Sequence, residues 1–136
     1  MTYAISAALQ AAVYHKLLAD IALADVVGGG IYDVIPSGPL PDTYVTLGPE
    51  QVLDRSDKSG FGALHRFTVS VMTDAAGFSR AKVAGAAVCD ALNDANLVLS
   101  RGRLVALRFD RAVARRIGTG SMRQIDLRFS ARVEDT

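Results

Sequence analysis

His65 to Asn93, HRFTVSVMTDAAGFSRAKVAGAAVCDALN, is the stretch that decides the fold. Its first part alternates. Phe67, Val69 and Val71 take one side and Arg66, Thr68 and Ser70 the other, the period-two pattern of a half-buried strand whose β-branched members suit the pleat. Thr73-Asp74-Ala75-Ala76-Gly77 then breaks the alternation with turn chemistry. From Phe78 the period becomes helical: Ala81, Ala84, Val88, Ala91 and Leu92 recur on one stripe, flanked by Val83 and Ala87, while Arg80, Lys82, Asp90 and Asp94 lie mostly off it. Small residues dominate the stripe, so this helix is expected to lie close against a sheet. Phe67, Val69 and Val71 should face it, with Val88 and Leu92 touching the strand. Cys89, beside Val88, is expected to be a buried small hydrophobe; as the single cysteine it excludes an internal disulfide.

Upstream, a first helix is expected over Tyr3 to Ala19, with Ile5, Ala8, Leu9, Ala12, Val13 and Leu17 on its apolar face. The N-terminal twenty residues lack a basic n-region and read as structure rather than as a targeting signal. Asp20 can cap a short second turn, DIALADVV, closed by Gly28-Gly29-Gly30. The three glycines follow a helix and precede a strand, without a G-K-[ST] ending. They are therefore a C-cap and turn, not a phosphate cradle. Ile31 to Ile35 reads as a short strand, and Pro36, Gly38, Pro39 and Pro41 as a stiff connection. Tyr44 to Val52 resumes as a strand containing the Gly48-Pro49 irregularity. Asp54 to Ala63 is either a loop or the tip of a long hairpin.

Downstream of the second helix, Val105, Leu107, Phe109, Arg111 and Val113 alternate with Ala106, Arg108, Asp110 and Ala112, which gives another strand. Phe109 is expected inward, as is Phe129. Ile117 to Arg123 is a glycine-bearing hairpin loop. The last strand has the strongest alternation: Ile125, Leu127, Phe129, Ala131 and Val133 against Asp126, Arg128, Ser130 and Arg132. The order is α-β-β-β-α-β-β, an α+β fold with a mostly antiparallel sheet covered by two helices, all in one domain over residues 1–136.

At 136 residues, half of them apolar and 21% charged, the chain is long enough to bury a sizeable core and too apolar to be disordered. Its longest apolar run falls far short of the ~20 residues of a membrane helix, so no membrane partner is expected. The net charge of +1 hides an asymmetry. Residues 1–100 hold six basic against ten acidic side chains, a balance of −4; residues 101–136 hold nine arginines, no lysine and four acids, a balance of +5. Arginine alone suits bidentate pairing with carboxylates or phosphates. The readings are subunit contacts, a pore facing nucleic acid, or simply the charged face of exposed strands.

Chemistry-bearing motifs are missing. His15 and His65 have no cysteine or carboxylate at ligand spacing, so no zinc site is expected. Cys89 sits on the apolar stripe, where a thiolate is disfavoured, which argues against a Cys–His pair. Asp90 and Asp94 form an i, i+4 pair of the kind that is usually solvated. No enzyme, metal or cofactor is expected.

Three features together carry a resemblance: the N-terminal helix; Ile31-Tyr32-Asp33-Val34-Ile35-Pro36 running on to Leu40-Pro41-Asp42-Thr43-Tyr44-Val45-Thr46-Leu47-Gly48; and the strand–helix unit 65–93. In this order they resemble the tail completion, or tail terminator, proteins of long-tailed phages and phage-like gene transfer agents. The family commonly has Pro-Tyr-Val where this chain has Thr43-Tyr44-Val45, and Trp or Tyr where it has Thr73-Asp74. The resemblance implies a homo-hexameric ring that ends the tail tube and joins it to a head-side connector or stopper protein. It also implies DNA passing transiently and non-specifically through the lumen, in a virion or phage-like particle assembled in the bacterial cytoplasm. Candidate ring-interface residues are Asp54, Arg55, Asp57, Lys58 and Phe61 in the first loop, Arg108, Arg111, Arg115 and Arg116 on the strand before the second, and Met122 and Arg123 in the second. The alternative is a small nucleic-acid-binding domain that uses the arginine-rich C-terminal strands, although these lack interleaved Tyr or Trp for base stacking.

Overall fold

The computed structural model describes residues 3–56, 61–118 and 122–135. A 3₁₀ turn (Tyr3–Ile5) leads into α1 (Ser6–Leu18) and α2 (Ile21–Val27). β1 (Ile31–Tyr32), β2 (Thr43–Asp54) and β3 (Phe61–Thr73) follow, then α3 (Ser79–Leu92), β4 (Arg103–Arg116) and β5 (Arg123–Asp135). The strands form one sheet in the order β1-β2-β3-β5-β4. β1 pairs parallel to β2, and every other pairing is antiparallel. The expected α+β fold with a mostly antiparallel sheet is therefore present. α2, anticipated as a short turn, is a third helix.

The central strand and its helix are built as the alternation requires. Phe67, Val69 and Val71 are buried in one cluster with Val88 and Leu92. Each fully buried Val or Leu there stabilises by about 1.5–3 kcal/mol. Of the flanking pair, Ala87 is buried and Val83 is exposed. Cys89 is half-buried rather than buried; burial, and then the Asp90 charge, raise its thiol pKa. Asp20 caps α2 by accepting from the Leu23 amide at 2.9 Å. Gly28, at φ 60°, closes α2, a conformation that an L side chain rarely adopts.

Two expectations at strand ends are corrected. β1 stops at Tyr32 instead of Ile35, because the proline-rich segment that follows carries Val34 and Ile35 away from the sheet into solvent. The alternation read into β4 is broken by register shifts between Leu104 and Ala106 and between Phe109 and Arg111. A bulge adds one residue to one strand and flips everything beyond it to the other face. Leu104, Leu107, Phe109, Ala112 and Ala114 thus lie opposite buried residues of β5, whereas Val105 and Val113 do not. Phe109 does point inward, edge-on to the buried Phe129 at 5.8 Å, but at the open margin of the sheet it stays 39% exposed.

β2 and β3 form the long hairpin that was one of the two readings of residues 54–63, and their register also shifts, between Leu47 and Glu50. At that irregularity Glu50 accepts from Ser6 Oγ at 2.6 Å and lies 3.3 Å from Nδ1 of the fully buried His65. α1 is tied there to the sheet.

Candidate functional site

The helices all lie on one side of the sheet, so the alternation of β5 sends its polar set to the other. Cross-strand partners share a face, and the registers therefore collect Arg66 of β3, Arg103, Arg108, Arg111 and Arg115 of β4, and Arg128 and Arg132 of β5 on the helix-free side. Carboxylates answer some of them. Asp126 lies 3.3 Å from Arg115, and Glu134 pairs with Arg103. Burial by itself would raise the Asp126 pKa, but hydrogen bonds from Ser70 and Gln124 together with the Arg115 charge outweigh it and hold that carboxyl below its ordinary value. Arg66, Arg108, Arg111, Arg128 and Arg132 have no ion pair among the described residues. Arg111 stands directly opposite Arg128, an arrangement that costs stability when no counter-charge is present. A shallow basin of about 320 Å³ opens beside them, lined by Thr68, Ser70, Arg111, Arg115, Asp126 and Arg128.

The candidate residues read from the sequence fall into two groups at opposite ends of the sheet. Phe61 is paired with Asp135 at one end, and Thr73 with Arg123 at the other. Asp54 and Arg55 belong to the first end. There the Asp54 carboxylate accepts from the Ser56 hydroxyl at 2.6 Å and from its amide at 3.0 Å, which lowers its pKa. Arg55 donates from its amide to Gly62 O at 2.8 Å, closing the hairpin. Asp57 and Lys58 lie outside the described residues. At the second end Arg116 stands opposite Arg123, and the half-buried Met122 accepts at its carbonyl from the Ile117 amide at 3.0 Å. Arg123 is partly committed inside the molecule: its guanidinium lies 5.4 Å from the Phe78 ring centroid and donates to Ala75 O at 3.3 Å. Arg108, Arg111, Arg115 and Arg116 are all exposed, in a strand where every residue from Arg108 to Arg116 is exposed.

The sequence reading missed Arg66, Arg103, Arg128 and Arg132 as members of this face. The β5 alternation holds the signal for the last two. It missed, too, a groove of about 900 Å³ between α1 and β1, whose wall includes Tyr3, Tyr14, Tyr32 and Asp33. Nothing local in the sequence joins Tyr3 and Tyr14 to the adjacent pair Tyr32 and Asp33. Among the described residues there is no cluster of three or more His, Cys, Asp or Glu placed to hold a metal ion, and no helix long and apolar enough to cross a membrane.

The chain matches the family described as Tail completion protein gp17 over residues 11–134. Among solved structures, a chain of "Virion of native gene transfer agent (GTA) particle" is 62% identical, with a TM-score of 0.94 over 98% of this chain and 99% of that one. None of the curated proteins matches.

Proposed function

The chain belongs to the tail completion protein family, and from that premise we propose that it forms a homo-hexameric ring closing the tail tube and joining it to the head-side connector or stopper. Family membership makes it a structural component of a virion or phage-like particle. The finer reading is ours: one domain per chain, DNA passing through the ring's lumen, and assembly in the bacterial cytoplasm. The observation that carries it is the stretch Arg108–Arg116, extended yet exposed along its whole length, in which Arg108, Arg111 and Arg116 have no ion pair among the described residues and only Arg115 is answered, by Asp126. Beyond pairing the edge of β5, such a strand buries little until a neighbour covers it.

Head-to-tail ring closure needs two unlike, complementary surfaces on each copy. The arginine-rich residues 101–136 and the acidic residues 1–100 supply them. The two hairpin ends, with Asp54, Arg55, Asp57, Lys58 and Phe61 at one and Met122 and Arg123 at the other, suit contacts to the tube on one side and the connector on the other. Reversing Arg108 and Arg116 together to Glu should stop the subunit entering particles while its melting temperature stays within a few degrees of the parent. Electron microscopy should then find heads and tails unjoined. Intact, joined particles carrying both changes would overturn this reading.

A further inference from the structure

We propose that the outer segment of β4, Arg111 to Arg116, seats in the groove between α1 and β1 of a second copy of this chain, with its guanidiniums against Asp33 and the neighbouring tyrosines. The proposal rests on the ring reading above and specifies the contact that would close it.

The two margins of the sheet are chemically unlike. At the β4 margin, Arg111 and Arg116 have no carboxylate partner among the described residues, and each faces another arginine across the ladder. At the β1 margin Asp33 and Asp42 are exposed, and neither has an ion pair among the described residues. The β4 backbone is also open only in part. The turn after α3 covers its edge at Leu107, which accepts from the Asp94 amide at 2.8 Å, and at Phe109, which donates to Asn93 Oδ1 at 2.9 Å. Among the described residues no hydrogen bond of that kind reaches the edge from Arg111 onwards.

Register puts the two margins in one band of the sheet. Tyr32 pairs with Thr46, Thr46 with Ser70, Ser70 with Asp126, and Asp126 with Val113. Likewise Thr43 pairs with Thr73, Thr73 with Arg123, and Arg123 with Arg116. The β4 arginines from Arg111 to Arg116 therefore sit at about the same level along the strands as β1, Asp33 and the start of β2. In a cyclic ring each copy is related to the next by rotation without rise. If the strands run roughly along the ring axis, the patches that meet must occupy the same level, and these two do.

The groove wall also suits the ligand. Tyrosine faces attract a guanidinium laid over them, and a carboxylate beside them pairs with it bidentately. Tyr3, Tyr14 and Tyr32 with Asp33 provide that combination in a space of about 900 Å³. A carboxylate arriving beside Arg111 would relieve its opposition to Arg128.

A charge swap tests the contact in native particles. Asp33→Arg alone and Arg111→Asp alone should each lower incorporation about tenfold or more, and the two together should restore it to within about threefold of the parent. Thermal melts of the purified subunits separate misfolding from lost contact. A second measurement uses Asp33→Cys with Arg111→Cys, both in a Cys89→Ser background that removes the native thiol, and a short bismaleimide. Particles with both thiols should give a ladder of covalent multimers, and those with either one alone should not. Normally melting single variants that incorporate like the parent, or a double-cysteine particle that yields no ladder, would overturn the groove contact. Parent particles containing one copy of the chain instead of several would remove the ring reading itself.

Discussion

β4 and β5 run side by side at nearly equal length, 14 and 13 residues, yet they serve opposite ends. β5 buries five alternate side chains, Ile125 to Val133, between β3 and the helices. β4 is anchored at Leu107 and then leaves every residue to Arg116 in solvent. Stability therefore lives in β5 and its neighbours, and the far half of β4 is held by backbone pairing and a few marginal side-chain contacts, Phe109 on Phe129 and Arg115 on Asp126. On the reading proposed above, a strand kept extended with so little core to cover holds its side chains for a neighbouring subunit.

The sharpest way to break this division is to place a charge in each region. Val69→Asp, in the strand on the other side of β5, should unfold the protein, since an unpaired carboxylate at a fully buried site costs several kcal/mol. Val113→Lys, in the exposed half of β4, should change stability by no more than about 0.5 kcal/mol. Urea denaturation of both variants decides it. A normally melting Val69→Asp protein would remove the strand from the core, and an unfolded Val113→Lys protein would remove the distinction drawn here.

Acid titration probes the seam between the regions, where Asp126 of β5 holds Ser70 and Arg115. Its carboxyl pKa is lowered in the folded state, so its contribution is present above the ordinary carboxylate value of about 4 and is lost as pH falls through the lower folded value. Asp126→Asn should therefore flatten the pH dependence of the melting temperature below about pH 4 and leave the helix-packed half unaffected. An unchanged acid profile would show that the seam carries no charge-dependent stability.

The smallest expected effect concerns DNA. A lumen that conducts DNA should hold it weakly, whereas a dedicated binding domain reaches on the order of 10⁻⁸ M at physiological salt. Fluorescence-anisotropy titration with duplex DNA should find only weak, sequence-independent binding that falls steeply as salt rises. Submicromolar, sequence-dependent binding at physiological salt would transfer the arginine face to the nucleic-acid-binding alternative.

What was legible in the sequence followed from regular periods. The α3 stripe and the β5 alternation have no interruption, so Ala84, Val88, Leu127 and Phe129 fall where their spacing says. β4 was legible as a strand but not in its facing, because its bulges leave no mark in the composition and Val105 and Val113 look as inward as Leu107. β1 was overread because Val34 and Ile35 have strand-like side chains, and the prolines after them decide their fate. The arginines were visible as a charge imbalance, but their gathering on one face needed the register. The tyrosine groove was not legible at all: Tyr3, Tyr14 and Tyr32 come from a turn, a helix and a strand, and only tertiary packing joins them.

The open margin of β4 has a consequence for the subunit before assembly. A long strand with unpaired backbone groups is a template for runaway pairing with any other extended chain, and newly made subunits are most numerous while no particle has yet taken them up. Arg111 and Arg116 line that margin with like charge, so two such edges repel instead of zipping together. On the far margin, Pro49 removes a backbone donor from β2 just where β1 no longer covers it. The subunit thus carries its own protection against aggregation. It withholds the edge from random partners during the interval between synthesis and use.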